Sequence, residues 1–253
     1  MEITAVVSRK GGVGKTATVL GLGAGLMKRG KKVLFIDLDS QANLSDLVGA
    51  TQEVTSLEVL TGKATAQEAI QHTKQGDIIA ACEPLAGADA LLDGKRKEYR
   101  LQEAIKGIQN KYDYILIDTP AQLGLITINA MTAADNLIIP AQAEALSYKG
   151  IKLVYSTYEN VKKYCNTDLY IKGILVTRYD THNTALQRDY VENLEEAAAQ
   201  IGTKVFKQPM RTYTCIMEAQ AMGQSLYDYA PRSNAVEDNE AFVSEYLKKG
   251  GRK

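Results

Sequence analysis

Short runs of Val, Ile and Leu recur along the chain, separated by stretches with helical spacing of apolar positions. The runs at 3–7, 33–36, 77–80, 114–117, 137–139 and 171–176 are mostly unbroken rather than alternating. A strand covered on both faces reads this way, as in a parallel sheet with a helical layer on each side. Helical spacing predicts helices over 16–28, 99–109, 147–164 and 185–200, and a last one over 235–248. Strand alternating with helix predicts an α/β fold: a doubly wound, mostly parallel sheet flanked by helices. No Pro/Ser-rich linker, internal repeat or low-complexity block interrupts the pattern, so 1–253 is expected to be a single domain. The basic tail 250–253 is expected to fray.

Composition narrows the picture. The 253 residues suffice for a sizeable core, and 45% hydrophobic with 24% charged residues fits a folded chain rather than a disordered one. Thirty basic residues balance thirty acidic ones. That argues against a protein that binds nucleic acid with its whole surface, while leaving room for a local basic patch. Cys82, Cys165 and Cys215 are odd in number and far apart, and His72 and His182 are isolated. A zinc site or disulfide framework is therefore not expected, and a reduced, cytoplasmic setting is. The start, MEITAVVSRKGG, lacks a signal-peptide pattern, and no apolar run approaches the roughly 20 residues needed to span a bilayer.

The chemistry concentrates in Ser8-Arg9-Lys10-Gly11-Gly12-Val13-Gly14-Lys15-Thr16, which follows the first strand and opens the first helix. Glycines there let backbone N–H groups converge on phosphate oxygens, and the helix N-terminus adds partial positive charge. Lys15 is placed to reach the β- and γ-phosphates, and Thr16 to put its hydroxyl on Mg²⁺. Val13 and Ala17 complete the nucleotide-binding stretch 10–17. The strict Walker pattern is not met, since its first Gly falls at Arg9. The helix that follows carries Gly21, Gly23 and Gly25. Each costs a helix about 1 kcal/mol relative to Ala, so this helix is expected to be pressed tightly against the sheet.

Two strand ends carry acids. The run 33–36 leads into Asp37-Leu38-Asp39-Ser40-Gln41-Ala42-Asn43, and 114–117 leads into Asp118. Carboxylates just past a strand's C-terminal end lie at the crevice where open α/β sheets bind ligands. The alternative for the first stretch is a polar strand-to-helix connection, with Asp39 or Ser40 as a helix cap.

The arrangement of Lys10, Gly11, Gly12, Gly14, Lys15 and Thr16 resembles the deviant Walker A motif, KGGxGK[ST], of the ParA/MinD/nitrogenase-iron-protein group. The stretch 37–43 is similar to that group's D-x-D-P-Q-G-N, with Ser40 for Pro and Ala42 for Gly. The stretch from Asp118 to Gly124 is similar to D-x-P-P-S-L-G, with Ala121 and Gln122 as departures. Residues 138–144, 171–180 and 218–229 resemble I-I-P-x-Q-x-E, G-V-L-L-T-x-Y-D and E-A-x-x-x-G-x-x-x-x-x-Y, placing the chain nearest the ParA/Soj branch. The resemblance implies ATP or ADP with Mg²⁺ as ligands and Lys10, Lys15 and Asp39 as catalytic residues. It also implies Thr16, Asp37 and Asp118 around the metal, and further nucleotide contacts at Thr177, Arg178, Met210 and Arg211. Asp39 would position or activate the attacking water. Lys10 would cross a homodimer interface to the partner's nucleotide, the structural alternative being a solvated loop lysine.

As a ParA/Soj-like ATPase the chain would dimerise on ATP, bind DNA without sequence preference, and be switched off when a ParB-like partner stimulates slow hydrolysis. Such a protein would be cytoplasmic and nucleoid-associated. No cysteine closely follows Asp118 to bridge a cluster, as a nitrogenase iron protein needs. The last helix is not the membrane-binding kind of MinD, so no membrane contact is expected. Because the chain opens on the first strand, an N-terminal helix-turn-helix region is not expected. A MinD-like or cargo-positioning ATPase is the alternative. DNA would lie on basic residues of the C-terminal half: Arg188, Lys204, Lys207, Arg211, Lys248 and Lys249, joined by Arg252 and Lys253. The family's I-P-R-N-V-R stands here as Met210-Arg211-Thr212-Tyr213-Thr214-Cys215. Either a gap restores Arg211, or the basic surface is built elsewhere.

Overall fold

The computed structural model describes residues 1–92, 94–145, 147–180 and 184–248. Its strands are β1 (Glu2–Val6), β2 (Val33–Asp37), β3 (Ile70–Thr73), β4 (Gly76–Ile79), β5 (Tyr114–Asp118), β6 (Asn136–Gln142), β7 (Tyr170–Tyr179) and β8 (Met210–Arg211). They form one sheet in the order β3-β4-β2-β5-β1-β6-β7-β8. Every pairing is parallel except the β3–β4 hairpin at the edge. The helices of six or more residues are α1 (Lys15–Lys28), α2 (Asn43–Val48), α3 (Ser56–Thr61), α4 (Arg100–Ile105), α5 (Leu125–Ala133), α6 (Ser147–Tyr164), α7 (Ala185–Gln200), α8 (Thr214–Ala221) and α9 (Asn234–Leu247).

Side chains alternate between two cores, as a doubly wound sheet demands. Leu34 and Ile36 of β2 and Ile115 and Ile117 of β5 face one core, with Ile105 of α4, Met131 of α5 and Val154 of α6. Val33, Phe35 and Leu116 face the other, with Leu22 and Leu26 of α1 and Phe242 and Tyr246 of α9. The unbroken apolar runs are this double coverage seen in sequence.

All six expected strands form, and α6 and α7 have the expected bounds. Strands β3 and β8 were not expected. The first, Ile70-Gln71-His72-Thr73, has no apolar run and is held by pairing with β4, while the second is two residues long. The helix expected over 99–109 splits into a 3₁₀ turn at Lys97–Tyr99, α4, and a 3₁₀ stretch at Lys106–Lys111.

The glycines of α1 are contact points. A Cβ on Gly23 would lie 2.3 Å from the ring of Phe35, and one on Gly21 2.6 Å from Oδ1 of Asn239. One on Gly25 would lie 2.7 Å from Val243 and 2.8 Å from the Tyr227 hydroxyl. The helix thus lies flush on β2 and on α9, and the lost helix propensity is offset by close packing. Phe35 is fully buried and has nowhere to retreat. Gly23→Ala is therefore expected to destabilise the fold by about 1–3 kcal/mol through overpacking. At about 2–4 °C per kcal/mol for a chain this size, a thermal melt reads the change directly. An unchanged melting temperature would mean that this contact is looser than described.

Candidate nucleotide-binding site

The C-terminal ends of β1, β2 and β5 meet at the middle of the sheet. The loop after β1 turns into α1 with Gly12 at φ 67° and Gly14 at φ 96°, left-handed conformations that favour glycine. Gly14 is the N-cap of α1 and offers no side-chain cap, so the helix's first N–H groups remain available to an anion. Lys15 opens the helix and is buried. Val13 is buried under the loop, and its carbonyl accepts from Thr177 Oγ1 at 2.6 Å.

In the β2–β5 register Asp37 stands directly opposite Asp118. The Asp37 carboxylate accepts from the Asp39 N–H through one oxygen and from the Ser45 N–H and hydroxyl through the other. Asp118 Oδ2 accepts from the Thr16 hydroxyl at 2.6 Å, while its Oδ1 is buried without a hydrogen-bond partner. Burial pushes the Asp118 carboxyl up to about 7, with the charge of Asp37 adding to the rise and Thr16 and Lys15 opposing it. Burial likewise pushes Asp37 up to about 6 against the pull of the Ser45 bonds. Two buried acids and an orphaned carboxylate oxygen beside a Thr hydroxyl call for a divalent cation. No group of three or more His, Cys, Asp or Glu side chains suited to a metal occurs among the described residues. One carboxylate beside a Thr hydroxyl, with a second acid opposite, is the donor set Mg²⁺ takes when phosphate oxygens and waters supply the rest of its shell.

The connection after Asp37 is held by its own turn: Asp39 accepts from the N–H of Gln41 through its side chain and of Ala42 through its carbonyl. Neither Asp39 nor Ser40 caps α2, whose N-cap is Ala42, so the capping alternative does not hold. Ala42 adopts φ 51°. A left-handed residue costs less as glycine, which accounts for the Gly of the resembled motif.

Gly11, Gly12, Gly14, Lys15, Thr16, Ala17, Asp39 and Arg178 line a cleft of about 740 Å³. A second, more apolar recess of about 390 Å³ adjoins it, sharing Gly14, Ala17 and Arg178 and adding Thr177, Met210 and Arg211. The expected nucleotide-site residues therefore border one or other space, except Val13 behind the loop, Lys10, and the buried metal-site acids Asp37 and Asp118. Lys10 lies to the side, its ammonium on Gln142 and Glu144 of its own chain. Sequence reasoning missed Leu85, Ala86, Asp89 and Gln220, which also line the cleft. The first three follow β4, and the rule that directed attention to the ends of β2 and β5 would have found them.

The basic residues of the C-terminal half do not gather in this way. Arg211 grips the buried Asp238 with two nitrogens, at 2.8 and 2.6 Å. Lys204 pairs with Glu245 at 2.5 Å. Arg188 lies on α7 among Asp189, Glu192, Glu195 and Glu196, while Lys207 and Lys248 are exposed. Lys249, Arg252, Lys253 and His182 lie outside the described residues. No helix among the described residues is long and apolar enough to cross a membrane.

Comparison with known proteins agrees with this geometry. A family model described as an AAA domain matches residues 1–171. The sporulation initiation inhibitor protein Soj of Bacillus subtilis is 36% identical over 242 residues, which cover 93% of this chain and 94% of Soj. The chromosome partitioning protein ParA of Caulobacter vibrioides is 35% identical, covering 90% of this chain and 88% of ParA. Among solved structures, cobyrinic acid a,c-diamide synthase from Mycobacterium smegmatis with bound ADP and magnesium superposes with a TM-score of 0.83. It is 30% identical, with 96% of this chain and 93% of that one covered. With its doubly wound sheet and glycine loop, and with these relatives matched along nearly its whole length, the chain belongs to the ParA/Soj family of partitioning ATPases.

Proposed function

We propose that this chain is a partitioning ATPase that binds ATP with Mg²⁺, closes as a homodimer over two nucleotides, holds DNA in that state, and releases it on hydrolysis. The observation that carries the ATPase reading is the Thr16–Asp118 contact at 2.6 Å, with the second Asp118 oxygen orphaned, directly under a glycine loop and Lys15. In this reading Lys15 binds the β- and γ-phosphates, and the loop N–H groups of 11–16 wrap them. Thr16 and Asp118 hold Mg²⁺, directly or through water, and Asp37 supports its shell. When bound, the metal supplies charge neutralisation on the phosphates. Asp39, at the rim of the cleft and outside the buried acid pair, orients the attacking water. Arg178, Thr177, Met210 and Arg211 border the base and ribose. Lys10 reaches the partner's nucleotide and neutralises charge that develops on its phosphates, as an arginine finger does.

DNA binding would be sequence-independent and steeply salt-dependent. Since Lys204 and Arg211 are engaged by acids within the chain, the exposed Lys207 and Lys248 are the better-placed contacts among the described residues. A ParB-like partner would accelerate hydrolysis and release the dimer.

The decisive measurement is oligomeric state and DNA retention with ATP, with ADP and without nucleotide, across a salt series. ATP alone should produce a dimer that retains DNA at low salt. Asp39→Ala should accumulate as an ATP-bound dimer with hydrolysis reduced about 10²–10⁴-fold, the range of a lost general base. A wild-type protein that stays monomeric with ATP and ignores DNA at low salt would sink the proposal. Binding of ATP-loaded protein to liposomes rather than DNA would redirect it to a membrane-surface ATPase.

A further inference from the structure

Two lysines share one phosphate-binding loop, yet their settings differ. Lys15 is buried at the mouth of α1, whereas the Lys10 side chain is 44% exposed. Lys10 Nζ donates to Gln142 Oε1 at 2.5 Å and to Glu144 Oε1 at 2.6 Å. Both acceptors belong to the end of β6 and the turn after it. That turn is itself held: the Glu144 N–H donates to the Gln142 carbonyl at 2.9 Å, and the Ser147 hydroxyl to the same carbonyl at 2.5 Å. Gln142 pairs in register with Thr177 of β7, the residue whose hydroxyl fixes the Val13 carbonyl. The ends of β6 and β7 thus brace the loop at two points, one behind it and one at its outer lip.

The outer brace answers a physical problem. A lysine on a glycine-rich loop is drawn to the nearest polyanion, which for Lys10 would be phosphates in its own cleft. There it would duplicate Lys15 and have no charge to offer outward. A carboxylate at 2.6 Å competes for the ammonium and holds it at the lip.

We propose that Glu144, assisted by Gln142, is a positioning residue that keeps the Lys10 ammonium off its own phosphate cradle and presents it to the nucleotide of a second copy of this chain. The inference rests on the reading of Lys10 as acting across a dimer. Glu144 touches no phosphate in this role; it acts through Lys10.

The test compares wild type, Glu144→Gln, Glu144→Asp, Lys10→Ala and the Lys10→Ala/Glu144→Gln double variant. ATP affinity is read with a fluorescent ATP analogue, and hydrolysis per protomer as a function of protein concentration. An exposed ion pair is weak, so Glu144→Gln should lower the concentration-dependent rate only about two- to fivefold. ATP affinity should not weaken, and Glu144→Asp, which keeps the charge, should recover part of the rate. The double variant should match Lys10→Ala, because Glu144 has no role once Lys10 is gone. A further loss in the double variant would overturn the proposal in favour of a structural role for Glu144, and a rise in rate would overturn it by making the pair a restraint. Normal hydrolysis in Lys10→Ala would overturn both this inference and the dimer reading beneath it. A defective Lys10→Ala alongside a normal Glu144→Gln would overturn this inference alone.

Discussion

Lys15→Ala is expected to lower ATP affinity by about 10²–10³-fold, the loss of roughly 3–4 kcal/mol that follows removal of one partner from a buried, charge-assisted contact. Lys15 is the first residue of α1, buried at 7% exposure. In the proposed site its ammonium serves the phosphates from a position largely shielded from water. Lys10 does not line the cleft and is a poor substitute, its ammonium resting on Gln142 and Glu144. A second effect adds to the first. Lys15 helps to keep Asp118 ionised, so its loss drives that carboxyl further up and weakens the metal position as well. Titration calorimetry with ATP and Mg²⁺ reads the loss, with circular dichroism confirming a folded variant. Affinity within threefold of wild type would mean that the cleft beside the glycine loop is not the phosphate site.

Much of this arrangement was legible in the sequence because it is local. The loop 8–16 carries its own chemistry: glycines where the backbone must turn left-handed, a lysine at the helix start and a hydroxyl next to it. Asp37 and Asp118 were legible for a different reason, since each terminates an apolar run and a parallel sheet brings strand ends to one edge. Their direct opposition in register was not legible, because register is set by packing between distant segments. The same limit hid β3, whose polar residues become a strand only through β4, and the division of the helix expected over 99–109. Ion pairing was the least legible feature. Nothing near Arg211 in the chain announces Asp238, 27 residues away, yet that pairing decides whether the guanidinium is open to DNA. The fate of Lys10 depends likewise on residues more than 130 positions distant.

Asp118→Asn should separate what this site costs from what it does. The Asp118 carboxyl, buried and opposite Asp37, ionises near pH 7 in the folded chain rather than near the usual 3.8. The groups facing it are Asp37, Asp39, Lys15 and Thr16; the two acids raise it, and the lysine and the Thr16 hydroxyl lower it. The sign follows from proton counting. Between about pH 4 and pH 7 the folded protein holds a proton that the unfolded chain has released, so stability falls as pH rises through this window. Asp37, pushed up to about 6, contributes in the same direction. Above pH 7 the nucleotide-free protein carries a buried charge that no side chain neutralises fully. Asn keeps an acceptor for the Thr16 hydroxyl and removes that charge. The nucleotide-free variant should therefore be more stable than wild type at pH 8, by about 2 kcal/mol, or roughly 4–8 °C in melting temperature. At pH 5, where folded wild-type Asp118 is protonated and only the lower part of that window has been crossed, the difference should narrow. With Mg²⁺ and ATP the order should reverse. Wild type gains stability with the logarithm of ligand concentration over Kd, while the variant gains little because its metal position has lost a carboxylate. Melting curves at pH 5 and pH 8, with and without Mg²⁺ and ATP, test all three expectations. If Asp118→Asn is destabilising to the same extent at both pH values, the buried carboxylate is already neutralised by its surroundings, and the electrostatic case for a cation at this position fails.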